Sequence, residues 1–187
     1  MEANRSRRRW TYTEYARLPM SSTTRYEVID DELALTPSPT TKHQIVVANL
    51  LLTLGTFVHE HALGLVLPGP VDVLFGEGDY VQPDLVFLQT DRLHLMRDRG
   101  IEGPPDLVVE ILSPSTAGRD RGVKLERYRH FGVSEYWIVD HEARTIEVWQ
   151  LGAGAGAAHI LRDGEAFAWT PVVGGPTLEV GVAGIVA

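Results

Sequence analysis

Asp106-Leu107-Val108-Val109-Glu110-Ile111-Leu112 reads as a buried strand with one carboxylate inside it. Side chains alternate faces along a strand, so Val108, Glu110 and Leu112 share one face and Leu107, Val109 and Ile111 the other. Ser113-Pro114-Ser115-Thr116 breaks the strand. Asp120 then fits the cap of a helix running through Phe131, and Gly132 fits the position just past its end. Residues 133–139 form another apolar run. A strand, a helix and a strand over 106–139 predict a right-handed parallel crossover.

Upstream lies a second run of the same kind, Val81-Gln82-Pro83-Asp84-Leu85-Val86-Phe87-Leu88. It predicts a strand from Val81 or Asp84 to Leu88 that also carries a carboxylate. A charge in an apolar strand is costly unless something positive meets it. If Asp84 and Glu110 lie on neighbouring strands and face the same way, their oxygens can share one hard cation. Mg²⁺ (or Mn²⁺) suits such a site, because it takes oxygen ligands and keeps several waters. The Ile111 carbonyl is a neutral oxygen close by. Lys124 shares a helical stripe with Tyr128 and Phe131, which turns its ammonium inward. Asp84, Glu110 and Lys124 together form the skeleton of a metal-dependent phosphodiesterase, in which the ion polarises a phosphoryl oxygen and acidifies a water.

The remaining chain frames this unit. Arginines at 5, 7, 8 and 9 mark residues 1–10 as a flexible basic arm. A short helix is expected over 11–17, with Thr11 or Thr13 as its cap. Arg25 to Ile29, Asp30-Asp31 and Glu32 to Leu35 read as a hairpin with an acidic turn. Thr40 or Thr41 caps a long helix to about His61, apolar nearly all round and so expected to be central. Strand-like runs follow at 66–67 and 71–75, then a weak helix or loop at 91–97. Residues 145–151 pair back on 133–139, placing Trp137 and Trp149 on adjacent strands. The low-complexity segment 152–158 is a hairpin connection. Residues 11–187 are read as one domain, with its core at about 25–151 and a β-rich C-terminal extension at 152–187.

The 187 residues carry 44% hydrophobic and 22% charged side chains, ordinary for a globular protein. There is no cysteine, which excludes disulfides, a thiolate nucleophile and cysteine-bound zinc. No secretory signal follows the basic arm, and the most apolar stretch, 45–58, is short for a bilayer. A soluble, cytoplasmic protein with no membrane partner is expected. The net charge of −8 lowers the odds of tight, metal-free DNA binding, but not of catalysis on DNA. His59-Glu60-His61 lacks the HExxH spacing that places two histidines on one helix face. Neither Ser113 nor Ser115 sits in a G-x-S-x-G elbow.

The order Pro83-Asp84, Glu110-x-Leu112, Lys124 resembles the Uma2 family, restriction-endonuclease-like proteins of the PD-(D/E)xK nuclease superfamily. The longest matching stretch is Asp120-Arg121-x-x-Lys124-x-x-x-Tyr128-x-x-x-Gly132-Val133-x-Glu135-Tyr136-Trp137-x-Val139-Asp140. The resemblance spans roughly residues 10–150. It implies an α/β (α+β) fold: a restriction-endonuclease-like core with a central mixed β-sheet flanked by helices, an N-terminal β-hairpin and a C-terminal β extension. The superfamily's lysine stands two residues after the glutamate, where this chain has Leu112; the resemblance implies that the role has moved to Lys124. It also makes Glu27 an acidic residue that reaches the metal site directly or through water. Asp72, His43 and Gln82 are further accessory candidates: Asp72 to line the cleft, His43 to face a substrate phosphate, and Gln82 to bind a water or phosphate. The expected function is Mg²⁺-dependent endonucleolytic cleavage of DNA, with a homodimer addressing two strands. The alternative is a nuclease fold kept as a binding or interaction module with little or no catalysis.

Overall fold

Thr11 caps one helical turn, α1 (Tyr12–Tyr15), through reciprocal hydrogen bonds with Glu14. The computed structural model describes residues 9–19, 24–152 and 156–187. Residues 1–8 of the expected arm, and 153–155 of the glycine–alanine connection, lie outside the described residues. Trp10, expected in the arm, is tied to the fold. Trp10 donates its N–H to Asp31 at 3.0 Å, and its carbonyl accepts from the Tyr80 hydroxyl at 3.2 Å.

β1 (Thr24–Ile29) and β2 (Glu32–Pro37) form the expected hairpin. Asp30 and Asp31 turn it with φ of 52° and 63°, the left-handed pair that a tight hairpin turn demands and aspartate tolerates. Thr40 caps α2 (Thr41–Leu50), which runs through a π-helical turn (Leu51–Gly55) into α3 (Thr56–Glu60). Next come β3 (Gly64–Pro68), β4 (Val73–Gly76), β5 (Asp79–Val81) and β6 (Leu85–Gln89). A 3₁₀ turn (Thr90–Leu95) leads to β7 (Met96–Arg97) and β8 (Gly100–Glu102), short strands that the pattern at 91–97 did not show.

β9 (Leu107–Ile111) is followed by α4 (Ala117–Arg119), a second π-helical turn (Asp120–Lys124) and α5 (Leu125–Phe131). The helical stretch therefore starts before Asp120, whose carboxylate is buried rather than capping. Gly132 closes α5 at φ 83°, a left-handed position where a side chain is strained. β10 (Glu135–Asp140), β11 (Thr145–Gln150), β12 (His159–Arg162), β13 (Ala166–Trp169), β14 (Leu178–Gly181) and α6 (Val182–Ile185) complete the chain.

The strands form two large mixed sheets and a hairpin. The first sheet has the order β2-β1-β5-β4-β8-β7, the second β12-β11-β10-β9-β6-β3, and β13 pairs with β14. β9 and β10 are parallel, as the crossover requires, with Ile138 beside Glu110. β9 runs antiparallel to β6, with Leu85 opposite Val109. Leu107, Val109 and Ile111 pack with α2, α3 and the C-terminal β13, β14 and α6. Val108 and Leu112 pack on the other side with Leu125 and Tyr128 of α5. Both faces are covered, which is why β9 is apolar at both phases of its alternation.

Two expectations change. The long helix is not central: Val46, Leu50 and Leu54 are buried, but Ile45 is 47% and Leu52 68% exposed. Its apolar residues exceed what one face can hide. Asp84 is not inside a strand either. Val81 ends β5 in the first sheet and Leu85 begins β6 in the second, so Gln82-Pro83-Asp84 is the crossing between sheets. Pro83 has no N–H for a ladder, which favours a break there.

Gly69 holds that crossing. Its N–H donates to the Asp84 carbonyl at 2.8 Å, and a Cβ on it would lie 2.5 Å from the Pro83 oxygen. Gly69→Ala is expected to destabilise by about 1–3 kcal/mol, the usual cost of overpacking. Gly118→Ala, at a helical position where a Cβ meets nothing within 4 Å, is the control and is expected to be neutral or stabilising. Urea denaturation of both variants checks this; equal stability of the two would refute the steric role of Gly69.

Candidate active site

The antiparallel register that sets Leu85 against Val109 carries one step further to Asp84 beside Glu110. The contact is direct: the Ile111 N–H donates to Asp84 Oδ2 at 2.9 Å. Glu110 faces α5 with Val108 and Leu112, and there it meets Lys124. The Lys124 ammonium lies 2.7 Å from Glu110 Oε1, 2.9 Å from Glu27 Oε1 and 3.8 Å from Asp120 Oδ1. Lys124 is 2% exposed, so the inward turn read from its stripe is what the helix makes. The Tyr128 hydroxyl, one turn further on, donates to the same Glu110 oxygen at 2.6 Å.

Asp84 has its own cations. Arg25, from β1, places both terminal nitrogens 3.2 Å from Oδ1, and His43 Nε2 lies 3.0 Å from Oδ2. Thr40 caps the helix that carries His43, its hydroxyl accepting the His43 backbone N–H at 3.2 Å. These residues, with Arg119 and the loops at 36–42 and 112–116, line a cleft of about 610 Å³. Lys42 and Glu142, both exposed, meet across its mouth at 3.6 Å.

Of the expected accessory residues, Glu27 and His43 join the cluster. Gln82 lines the cleft through a different role from the one expected. Its N–H donates to Glu27 Oε1 at 2.9 Å, while its amide donates to Asp72 Oδ1 at 2.8 Å. Asp72 does not line the cleft. Its carboxylate accepts from Gln82 and from the Tyr15 hydroxyl at 2.8 Å, which hold it behind Glu27. Sequence reasoning missed Arg25, Arg119 and Tyr128 as site residues, and took Asp120 only for a cap. Tyr128 was the one within reach, since it shares the Lys124 stripe.

Electrostatics follow from burial and crowding. Burial pushes the Glu110 carboxyl up to about 8; Lys124 opposes this, and Asp120, Asp84 and Glu27 add to it. Burial also raises Asp120, whose Oδ1 is buried without a hydrogen-bond partner. Burial works against the Lys124 ammonium too, but Glu110, Glu27 and Asp120 outweigh it and hold its pKa above the ordinary value. Burial likewise raises Asp84, but the His43 hydrogen bond, the His43 and Arg25 charges and the Ile111 N–H together bring it below the usual carboxylate range.

The donor chemistry fits a hard divalent cation. Four carboxylates, those of Glu27, Asp84, Glu110 and Asp120, face three permanent cations, Arg25, Arg119 and Lys124. Lys124 and Tyr128 both bind Glu110 through Oε1, which leaves Oε2 without a hydrogen bond among the described residues. Among the described residues no group of three or more His, Asp and Glu side chains is arranged to hold a metal ion. An ion on Asp84 and Glu110 would therefore keep several waters, as Mg²⁺ does.

Comparison with known proteins agrees with this architecture. The family model Uma2, described as "Putative restriction endonuclease", matches residues 12–181. A crystal structure from Anabaena variabilis ATCC 29413, of a protein described as a putative nuclease belonging to DUF820, is similar with a TM-score of 0.77. The match covers 94% of this chain and 97% of that one at 16% identity, a likeness of fold. No curated protein matches the chain.

The raised Glu110 pKa has a measurable sign. A carboxyl at about 8 in the fold and 4.5 when free binds its proton more tightly in the native state. Its contribution to stability is full below about 4.5 and is lost as pH rises through about 8. Urea denaturation across that window should show the native protein weakening with pH and Glu110→Gln weakening less. Parallel pH profiles would show that Glu110 is ionised throughout.

Proposed function

The chain belongs to the Uma2 family, and from that footing we propose that it is a Mg²⁺- or Mn²⁺-dependent endonuclease hydrolysing phosphodiester bonds of DNA. The observation that carries the reading is the convergence of Asp84, Glu110 and Lys124 in one cleft. Asp84 and Glu110 would hold the ion, with the Ile111 carbonyl as a third protein oxygen. The ion would supply a polarised phosphoryl oxygen and a more acidic water.

The protein's own groups do the rest. Arg25 and His43 fix the Asp84 carboxylate from one side, and the Ile111 N–H fixes it from the other. Tyr128 and Lys124 fix Glu110, and Glu27 fixes Lys124 in turn. The Lys124 ammonium orients the attacking water and offsets negative charge building on phosphorus. Water attacks phosphorus, the ester P–O bond opposite breaks, and the leaving oxygen takes up a proton. A homodimer, placing two such clefts on two strands, belongs to the same reading; light scattering that gives a monomer at micromolar concentration removes it.

A second reading, a nuclease fold that binds without cutting, draws on one observation. Asp84 is already met by Arg25, His43 and a backbone N–H, and Glu110 by Lys124 and Tyr128. Divalent-metal titration with varied DNA substrates separates the two. The hydrolase reading expects cleavage that needs Mg²⁺ or Mn²⁺ and falls at least about a hundredfold in Asp84→Ala. Undiminished metal-dependent cleavage by that variant sinks the site; no cleavage by the native protein under any divalent metal leaves the binding module.

A further inference from the structure

One cation in the cleft is under-used. Arg25 is engaged with Asp84, Lys124 with Glu27 and Glu110, and Lys42 with Glu142. Arg119 instead donates to a neutral group, the Thr36 hydroxyl, at 2.6 Å. Its nearest carboxylate oxygen, Glu27 Oε2, is 3.8 Å away, and its buried Nε has no hydrogen-bond partner. Its side chain is 18% exposed and lines the cleft together with Glu27 and Lys124, which are 3% exposed. A guanidinium with spare donors, beside the groups that would act on a phosphodiester, matches a phosphate in geometry and charge.

Among the described residues, the walls around it hold no free amide fork and no Phe, Tyr or Trp on which a base could stack. Sequence is read by amide and guanidinium forks on base edges, and unpaired bases are gripped by aromatic stacking. Among the described residues lining the cleft there is no Phe, Tyr, Trp or Asn. The lone amide, Gln82, is bound to Asp72 and to Tyr15. What the walls offer is hydroxyls, of Ser38, Thr40 and Thr41 on one side and of Ser113, Ser115 and Thr116, which hydrogen-bond among themselves, on the other. Hydroxyls and a guanidinium can bind phosphate and sugar, contacts that carry no sequence information.

We propose that Arg119 is a phosphodiester subsite, and that the cleft grips a polynucleotide by its sugar–phosphate backbone regardless of base. The assignment rests on the nuclease reading above and narrows it to a cutter indifferent to sequence. With one spare cation among the described residues of the cleft, its footprint is small, so affinity at this cleft falls only gently with salt.

The test is fluorescence anisotropy in Ca²⁺ with three DNA strands of equal length: mixed sequence, poly(dT) and an abasic tetrahydrofuran backbone. All three should bind within about threefold of one another, well under the roughly tenfold cost of losing a base contact. Arg119→Ala, checked for folding by circular dichroism, should weaken all three alike and make the salt slope shallower by about one. A purely structural arginine would leave that slope unchanged, which overturns the subsite. An abasic strand bound more than about tenfold worse, or no binding by any strand, overturns the backbone reading. Cleavage is followed in parallel in Mg²⁺. Cleavage with base-dependent binding leaves the hydrolase standing without this inference, and base-independent binding without cleavage does the reverse.

Discussion

The ammonium of Lys124 is the constraint around which this molecule is organised. It sits among carboxylates from three places in the chain: Glu27 on β1, Glu110 on β9 and Asp120 one turn back on its own helix. These segments belong to the first sheet, the second sheet and the helix between strands β9 and β10. A buried pair is weak evidence for stability, because removing both charges from water costs nearly what their attraction returns. Its value here is specificity. Removing one partner would strand the others, at about 3–5 kcal/mol for a broken buried pair, so only one docking of the sheets and the helix satisfies all of them.

Around that centre the site is a balance of opposite charges drawn from distant parts of the sequence. Arg25 reaches Asp84 from the start of β1, and His43 reaches it from the first turn of α2. Asp84 and Glu110 are each held by groups that do not share their element. The acids line one cleft, without a metal-type cage of side chains among the described residues. A rigid, partly satisfied set of acids suits a weakly held ion that retains water better than a structural one.

The fold was legible where its signals are local. The apolar run of β9, the break at Ser113-Pro114 and Gly132 after the helix describe the crossover at the centre of the second sheet. The inward turn of Lys124 was legible from Tyr128 at the next helical turn. Long-range pairing was not. Nothing near Arg25 or Arg119 in the sequence distinguishes it from a solvated arginine, because the partners Asp84 and Thr36 are brought by tertiary structure alone. The helical run is kinked at Gly122, between Asp120 and Lys124, a break that one continuous helix read from Asp120 to Phe131 hides. Apolar content misled at Ile45 and Leu52, where hydrophobicity predicts burial and the sheet offers only one face. The same blindness placed Asp84 in a strand, since alternation says nothing of a change of sheet.

The hydrogen bonds behind Glu27 tie the first helix to the cleft. Tyr15 and Gln82 meet on Asp72, and the Gln82 N–H fixes Glu27. By thermodynamic reciprocity, any free energy that a cleft occupant gains from an ordered Glu27 is returned as tighter docking of α1. The segment Tyr12–Tyr15 thereby becomes a reporter. Were an occupant to order Glu27, amide protection over Tyr12–Tyr15 would be its readout, although α1 does not line the cleft.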